Sequence, residues 1–244
     1  MVARVASGRK VARDAVSERA TVARDAAADA IAAVKPKLRG VSHEWAFFVS
    51  LFLGAGLIVA AKTPKATLAV AIYAVSLSAL LGTSALYHRV NWARPEIRLR
   101  MRRLDHSMIF FLIAGTYTPF ALLVLSGPLA DAILLVVWIG AIAGAVVEMV
   151  WIEHPKWVAA LIYMSLGWVA VISFPELWDS MGTAGTLLVA VGGLLYTAGA
   201  VVYATQRPNP SPRVFGYHEV FHLLVIAAAA AHFAAVAFFA LPAA

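Results

Sequence analysis

Near the carboxyl end of the chain stands Tyr217-His218-Glu219-Val220-Phe221-His222, at the mouth of its last long apolar run. Two histidines four apart on a helix share one face, about 6 Å apart along the axis. That spacing lets two imidazoles of one helix grip one metal ion. Histidine is costly in hydrocarbon, so a pair one turn apart calls for partners. Other polar groups gather around the ends of apolar runs: Ser84 and His88, Asp105 and His106, and Glu148. His88, His218 and His222 would supply three neutral nitrogens and leave a fourth position for water, the open arrangement of catalytic zinc, Zn2+. Zinc lowers the pKa of its water to about 7. Asp105 would accept a proton from that water as general base, and Ser84, one turn from His88 on the same face, would donate to a developing oxyanion. Glu148 is a candidate to orient a histidine from behind. His106 points about 100° away from Asp105, and His232 lies about 15 Å beyond His222, so neither joins this set. His43, before the first apolar run, and His154, before Pro155, read as structural.

The elements that position these groups are membrane helices. The chain of 244 residues is 62% hydrophobic and 14% charged, with no cysteine. Soluble domains sit near half apolar and a quarter charged. Without cysteine, any metal must be held by His, Asp, Glu or water. Seven apolar runs, each near the length that crosses a bilayer, cover about 45–61, 66–87, 107–125, 129–151, 157–174, 183–204 and 215–241. Trp45, Trp151, Trp157 and Trp178 lie near run ends, as interface anchors do, and Pro119 falls inside the third run. The fold class is therefore all-α: an integral membrane seven-transmembrane-helix bundle.

Eighteen of the twenty Lys and Arg residues fall before the first run or in the even-numbered connections, with only Lys62 and Lys65 on the other side. By the positive-inside rule the amino terminus is cytoplasmic and the carboxyl terminus outside. This inverts the arrangement of G-protein-coupled receptors, so no G protein is expected. The net charge of +7 does not imply nucleic acid. The basic residues stand where anionic head groups are the nearer partner, above all Arg89, Arg94, Arg98, Arg100, Arg102 and Arg103. Residues 1–41 form a separate Ala- and Arg-rich extension on the cytoplasmic side, helical over about 10–34, and 42–244 form the membrane domain. Val11-Ala12-Arg13-Asp14-Ala15 recurs as Val22-Ala23-Arg24-Asp25-Ala26 in that extension.

Three motifs together, Ser84-Ala85-Leu86-Tyr87-His88, Arg103-Leu104-Asp105-His106-Ser107 and His218-Glu219-Val220-Phe221-His222 with Ala231-His232-Phe233 downstream, resemble the hemolysin III family. That family is the bacterial branch of the progestin and adipoQ receptors and is related to alkaline ceramidases. The resemblance covers about 42–240. It implies zinc on His88, His218 and His222, with Ser84 and Asp105 beside the metal-bound water. It also implies a place in the cell (plasma) membrane, a lipid or fatty-acid ligand in the bundle, and hydrolysis of lipid amides in the service of membrane homeostasis. Two other readings remain open. One is a receptor-like or cytolytic protein with structural zinc. The other is an intramembrane metalloprotease, because His218-Glu219-Val220-Phe221-His222 also satisfies H-E-x-x-H.

Overall fold

The computed structural model describes residues 35–243; the helix expected over 10–34 lies outside the described residues. Seven α-helices follow one another: α1 Val41–Ala60, α2 Pro64–Arg89, α3 Pro95–Leu123, α4 Gly127–Val150, α5 Lys156–Gly167, α6 Phe174–Thr205 and α7 Tyr217–Ala235. A 3₁₀ stretch, Trp168–Ser173, joins α5 to α6, and a π turn, Val236–Ala240, ends α7. Among the described residues there is no strand, only an isolated bridge between Ser211 and Phe215. That bridge keeps Phe215 out of α7, which the run of apolar residues had placed inside it.

Proline sets most of the starts. α2, α3, α4 and α6 each carry Pro at the first or second helical position, where its missing N–H costs nothing. Thr63 caps α2 by accepting the Ala66 N–H at 3.1 Å. α3 continues through Pro119 without a break. Close packing falls to small residues, as it must where neighbouring helices and lipid are equally apolar. Gly54 of α1 sits against Ala74 of α2, and Ser50 meets Ser78 across the same seam at 2.9 Å. Gly144 of α4 makes room for the Phe110 ring of α3.

Among the described residues six helical stretches are long and apolar enough to cross a membrane, with Lys156–Thr205 forming one of 50 residues. That stretch does not run straight. Gly182 takes φ 66° inside it, a conformation that suits glycine. Trp168 Nε1 donates to Thr197 Oγ1 at 3.1 Å, though the two are 29 residues apart and would stand about 43 Å apart on a straight helix. The chain therefore doubles back near Gly182.

Large apolar side chains face outward all around the bundle, with Phe52 80% and Val59 86% exposed. Such a surface suits hydrocarbon and not water. The polar groups singled out above gather at one end: the start of α1, the end of α2, the early turns of α3, the end of α4 and the start of α7. Part of the extension is built into that end. Lys37 N–H donates to the Arg213 carbonyl and Leu38 N–H to the Val214 carbonyl, both at 3.1 Å, so 36–40 is pinned to the α6–α7 connection.

The close helix contacts give the first prediction. A Cβ at Gly144 would lie 2.2 Å from the Phe110 ring, whereas one at Gly56 meets nothing within 4 Å. Gly144→Ala should lower stability by about 1–3 kcal/mol through overpacking, and Gly56→Ala should be neutral or slightly stabilising. Thermal unfolding in detergent checks both.

Candidate metal centre

His88 occupies the last turn of α2, and His218 and His222 the first two turns of α7. All three are buried, and each offers one ligand atom within 4.8 Å of the others. His218 Nε2 and His88 Nε2 face each other at 3.1 Å. Ligand nitrogens around a tetrahedral zinc with bonds of 2.0–2.1 Å are separated by about 3.3 Å. The spacing of this pair is thus close to what a shared cation imposes. His222 Nδ1 is enclosed and has no hydrogen-bond partner. Three converging imidazoles with no thiolate fit a divalent metal of the zinc class.

Asp105, in the third turn of α3, brings its Oδ2 to 3.6 Å from His88 Nε2, beyond a direct hydrogen bond. Ser84 and Asp105 line the same cavity beside the cluster. The five residues expected at the site are therefore brought together from three helices, all buried.

Glu148 departs from its expected place. Its Oε1 accepts from His154 Nε2 and from the Tyr163 hydroxyl, each at 3.0 Å. The histidine it orients is therefore His154, and this cluster ties the end of α4 to α5. His106 is held by Arg102 and Tyr203: its Nδ1 stands 2.8 Å from the Arg102 carbonyl and its Nε2 3.2 Å from the Tyr203 hydroxyl.

Sequence reasoning missed His43. Expected at the lip, it is only 2% exposed and stacks on His222, with ring centroids 3.7 Å apart and planes 13° from parallel. Neither of its nitrogens has a partner among the described residues. A signal was present in the pattern. α1 buries only His43, Ser50, Gly54 and Leu57, a polar-to-small stripe at spacings of seven, four and three on an otherwise lipid-facing helix.

Two cavities flank the cluster. One, of about 280 Å³, runs from His43, Ser84, Asp105 and His222 into the bundle as far as Phe120 and Leu125, with an almost wholly apolar lining. Trp168, Val171 and Leu194 line it and are also exposed on the outer face, so it opens sideways toward hydrocarbon. On the far side of His88 lies a polar cavity of about 560 Å³, lined by Lys35, Arg39, Asn91 and Arg98 among others.

The family model described as "Haemolysin-III related" matches residues 31–233. The chain belongs to the haemolysin-III family. It is 32% identical over 180 residues to "Hemolysin-3" of Bacillus cereus, covering 74% of this chain and 78% of the relative. It is 31% identical over 168 residues to the "Hemolysin-3 homolog" of Bacillus subtilis, covering 69% and 75%. It is also 29% identical over 168 residues to the human "Monocyte to macrophage differentiation factor", covering 68% and 67%. With its apolar helices, this haemolysin-III protein is a membrane protein of multiple spans. The family match begins at residue 31, before α1, where the pinned 36–40 segment also belongs to the folded unit.

Glu219, the acid within the histidine pair, is 2% exposed and fully engaged. Arg39 Nε donates to its Oε1, and the Gly216 N–H donates to its Oε2 at 2.7 Å. The Arg39–Glu219 pair therefore clamps the segment before α1 onto the start of α7. Removing one member of such a pair leaves a buried charge uncompensated. Arg39→Met should cost about 3 kcal/mol, and adding Glu219→Gln should recover part of that loss. Chemical denaturation of both variants in detergent provides the measurement.

Proposed function

We propose that this haemolysin-III protein is a zinc-dependent hydrolase of lipid amides. The observation that carries this reading is the position of the three-histidine cluster. It lies beside Asp105 at the closed, polar end of an apolar cavity that opens toward lipid. His88, His218 and His222 would hold the metal. Zinc bound there would polarise an amide carbonyl and make a bound water acidic enough to react near neutral pH.

The remaining chemistry belongs to the protein. Asp105 takes a proton from the attacking water and returns it to the leaving nitrogen as the carbon–nitrogen bond breaks, giving a fatty acid and an amine. Ser84 donates to the carbonyl oxygen as negative charge grows on it. His43, stacked on His222, holds that ring in one orientation. The apolar cavity takes the acyl chain, which enters sideways from the bilayer through the opening at Trp168, Val171 and Leu194. Arg94, Arg98 and Arg100 are exposed and would meet anionic head groups, whereas Arg89 is paired with Glu44, Arg102 donates to the Ile152 carbonyl and Arg103 Nε is enclosed.

The same reading counts seven spans, taking Lys156–Thr205 as two that turn at Gly182. Each half, of about two dozen residues, is long enough to cross a bilayer. The amino terminus and the histidine centre are cytoplasmic and the carboxyl terminus outside, because the basic connections lie at the histidine end. The membrane is the plasma membrane, where hydrolysis would adjust lipid composition.

The rival readings have less support. In a protease of the H-E-x-x-H kind the glutamate serves as base, and here both oxygens of Glu219 are already bonded, one to a cation. Relatives carry the name hemolysin, but a pore needs a polar path through the bundle, and the cavity that runs into the bundle is apolar. A purely structural zinc would close with a fourth protein ligand, whereas among the described residues the ligand atoms that all lie within 4.8 Å of one another come from His88, His218 and His222 alone.

Purified protein incubated with N-acylated lipids tests the proposal. Fatty acid should be released, and Asp105→Asn should lower the rate at least about a hundredfold while zinc stays bound. His88→Ala should lose both zinc and activity. Glu219→Gln should keep turnover within about tenfold, where a protease mechanism would lose it. Absence of release from every lipid amide tried, with zinc bound, would contradict the assignment.

A further inference from the structure

Deep in the apolar cavity, well away from the histidine cluster, two polar atoms stand without partners. His232 follows His222 by ten residues on α7, which places it about 15 Å further along the helix. Tyr196 of α6 faces it, with ring centroids 5.5 Å apart, and both residues line the cavity. The Tyr196 hydroxyl and His232 Nδ1 are enclosed and make no hydrogen bond among the described residues. An unsatisfied polar atom in such a place is destabilising, and surrounding lipid offers no water to relieve it.

The chemistry of the missing partner follows from the imidazole. His232 Nε2 lies 3.0 Å from the Val189 carbonyl, which can only accept, so the proton is on Nε2 and Nδ1 carries a lone pair. Gly192 packs against the ring edge so closely that a Cβ there would stand 2.2 Å from Cδ2. The ring is thereby held from both sides. The subsite thus offers one pure acceptor and one phenolic hydroxyl able to donate. A ketone, ester or ether would satisfy the phenol and leave Nδ1 bare. A hydroxyl satisfies both, donating to Nδ1 and accepting from Tyr196.

We infer that Tyr196 and His232 form a second polar subsite, which binds a hydroxyl group carried part-way along the hydrocarbon chain of the lipid in the cavity. This rests on the reading above that the cavity holds a lipid chain with its polar end at the histidine cluster. A zigzag chain advances roughly 1.25 Å per carbon–carbon bond of about 1.5 Å. The hydroxyl would then lie about a dozen bonds from that end. The subsite selects among chains by a group remote from the reacting bond.

Binding to the full-length protein in nanodiscs decides it, read by displacement of a fluorescent fatty acid. The probes are octadecanoic acid, the same acid with a hydroxyl on its twelfth carbon, and the acid with a hydroxyl on its second carbon. The twelfth-carbon hydroxy acid should bind about tenfold more tightly than the plain acid, from two hydrogen bonds gained in an apolar site. The second-carbon isomer should show no such gain. Tyr196→Phe should abolish the advantage and leave the affinity for the plain acid unchanged. If the plain acid binds the unaltered protein as tightly as the twelfth-carbon acid, or more tightly, the subsite is wrong and the two atoms are served by water or by each other. An advantage that survives Tyr196→Phe also overturns it. Failure of all three acids to bind would instead remove the lipid-cavity reading, and the subsite with it.

Discussion

In a bundle surrounded by hydrocarbon, a polar side chain has no water to fall back on, and each must find its partner inside the protein or in a ligand. That constraint organises the histidine end of this molecule. Glu148 is met by His154 and Tyr163, His106 by Arg102 and Tyr203, and Glu219 by Arg39 and the Gly216 N–H. Each of these joins segments distant in sequence, so satisfying the polar groups also fixes the helices. The partnerless atoms then stand out. Among the described residues His43 and His222 carry such nitrogens at the metal centre, Tyr196 and His232 carry such atoms further down the cavity, and Glu148 Oε2 and Arg103 Nε complete the set.

The segment before α1 shows how the centre is held. Its backbone pairs with the α6–α7 connection, and Arg39 reaches Glu219. Gly40, at φ 80°, packs so closely on His88 that a Cβ there would lie 2.6 Å from that of His88. One short stretch therefore braces both helices that supply the three histidines. The glutamate that makes the histidine pair look like a protease signature serves as the anchor of this brace.

Much of this was legible in the sequence because it is written in periodicity. The runs located all seven helices, though α3 starts at Pro95 and α6 at Phe174, well before the apolar stretches at 107 and 183, and the i, i+4 spacings of Ser84 with His88 and of His218 with His222 gave their shared faces. The convergence of these groups with Asp105 followed from their common place at one end of the runs. What could not be read was pairing across helices. The spacing of His43 with Ser50 and Gly54 marks it as inward-facing, but nothing local tells that it stacks on His222, or that Glu148 chooses His154 over a metal ligand. The break between the fifth and sixth apolar runs, 174 to 183, did mark the place of the turn at Gly182, where the contact of Trp168 with Thr197 shows the chain reversing. Phe215 was drawn into α7 by its hydrophobicity, while a backbone bridge to Ser211 kept it out.

The central claim is that His88, His218 and His222 share one zinc ion. X-ray absorption at the zinc edge, on purified protein carrying one zinc per chain, tests it most directly. The geometry calls for three imidazole nitrogens at about 2.0–2.1 Å and one further light-atom ligand. The imidazole signal should collapse in His222→Ala. A spectrum with no imidazole shell, or one unchanged by that substitution, would contradict it.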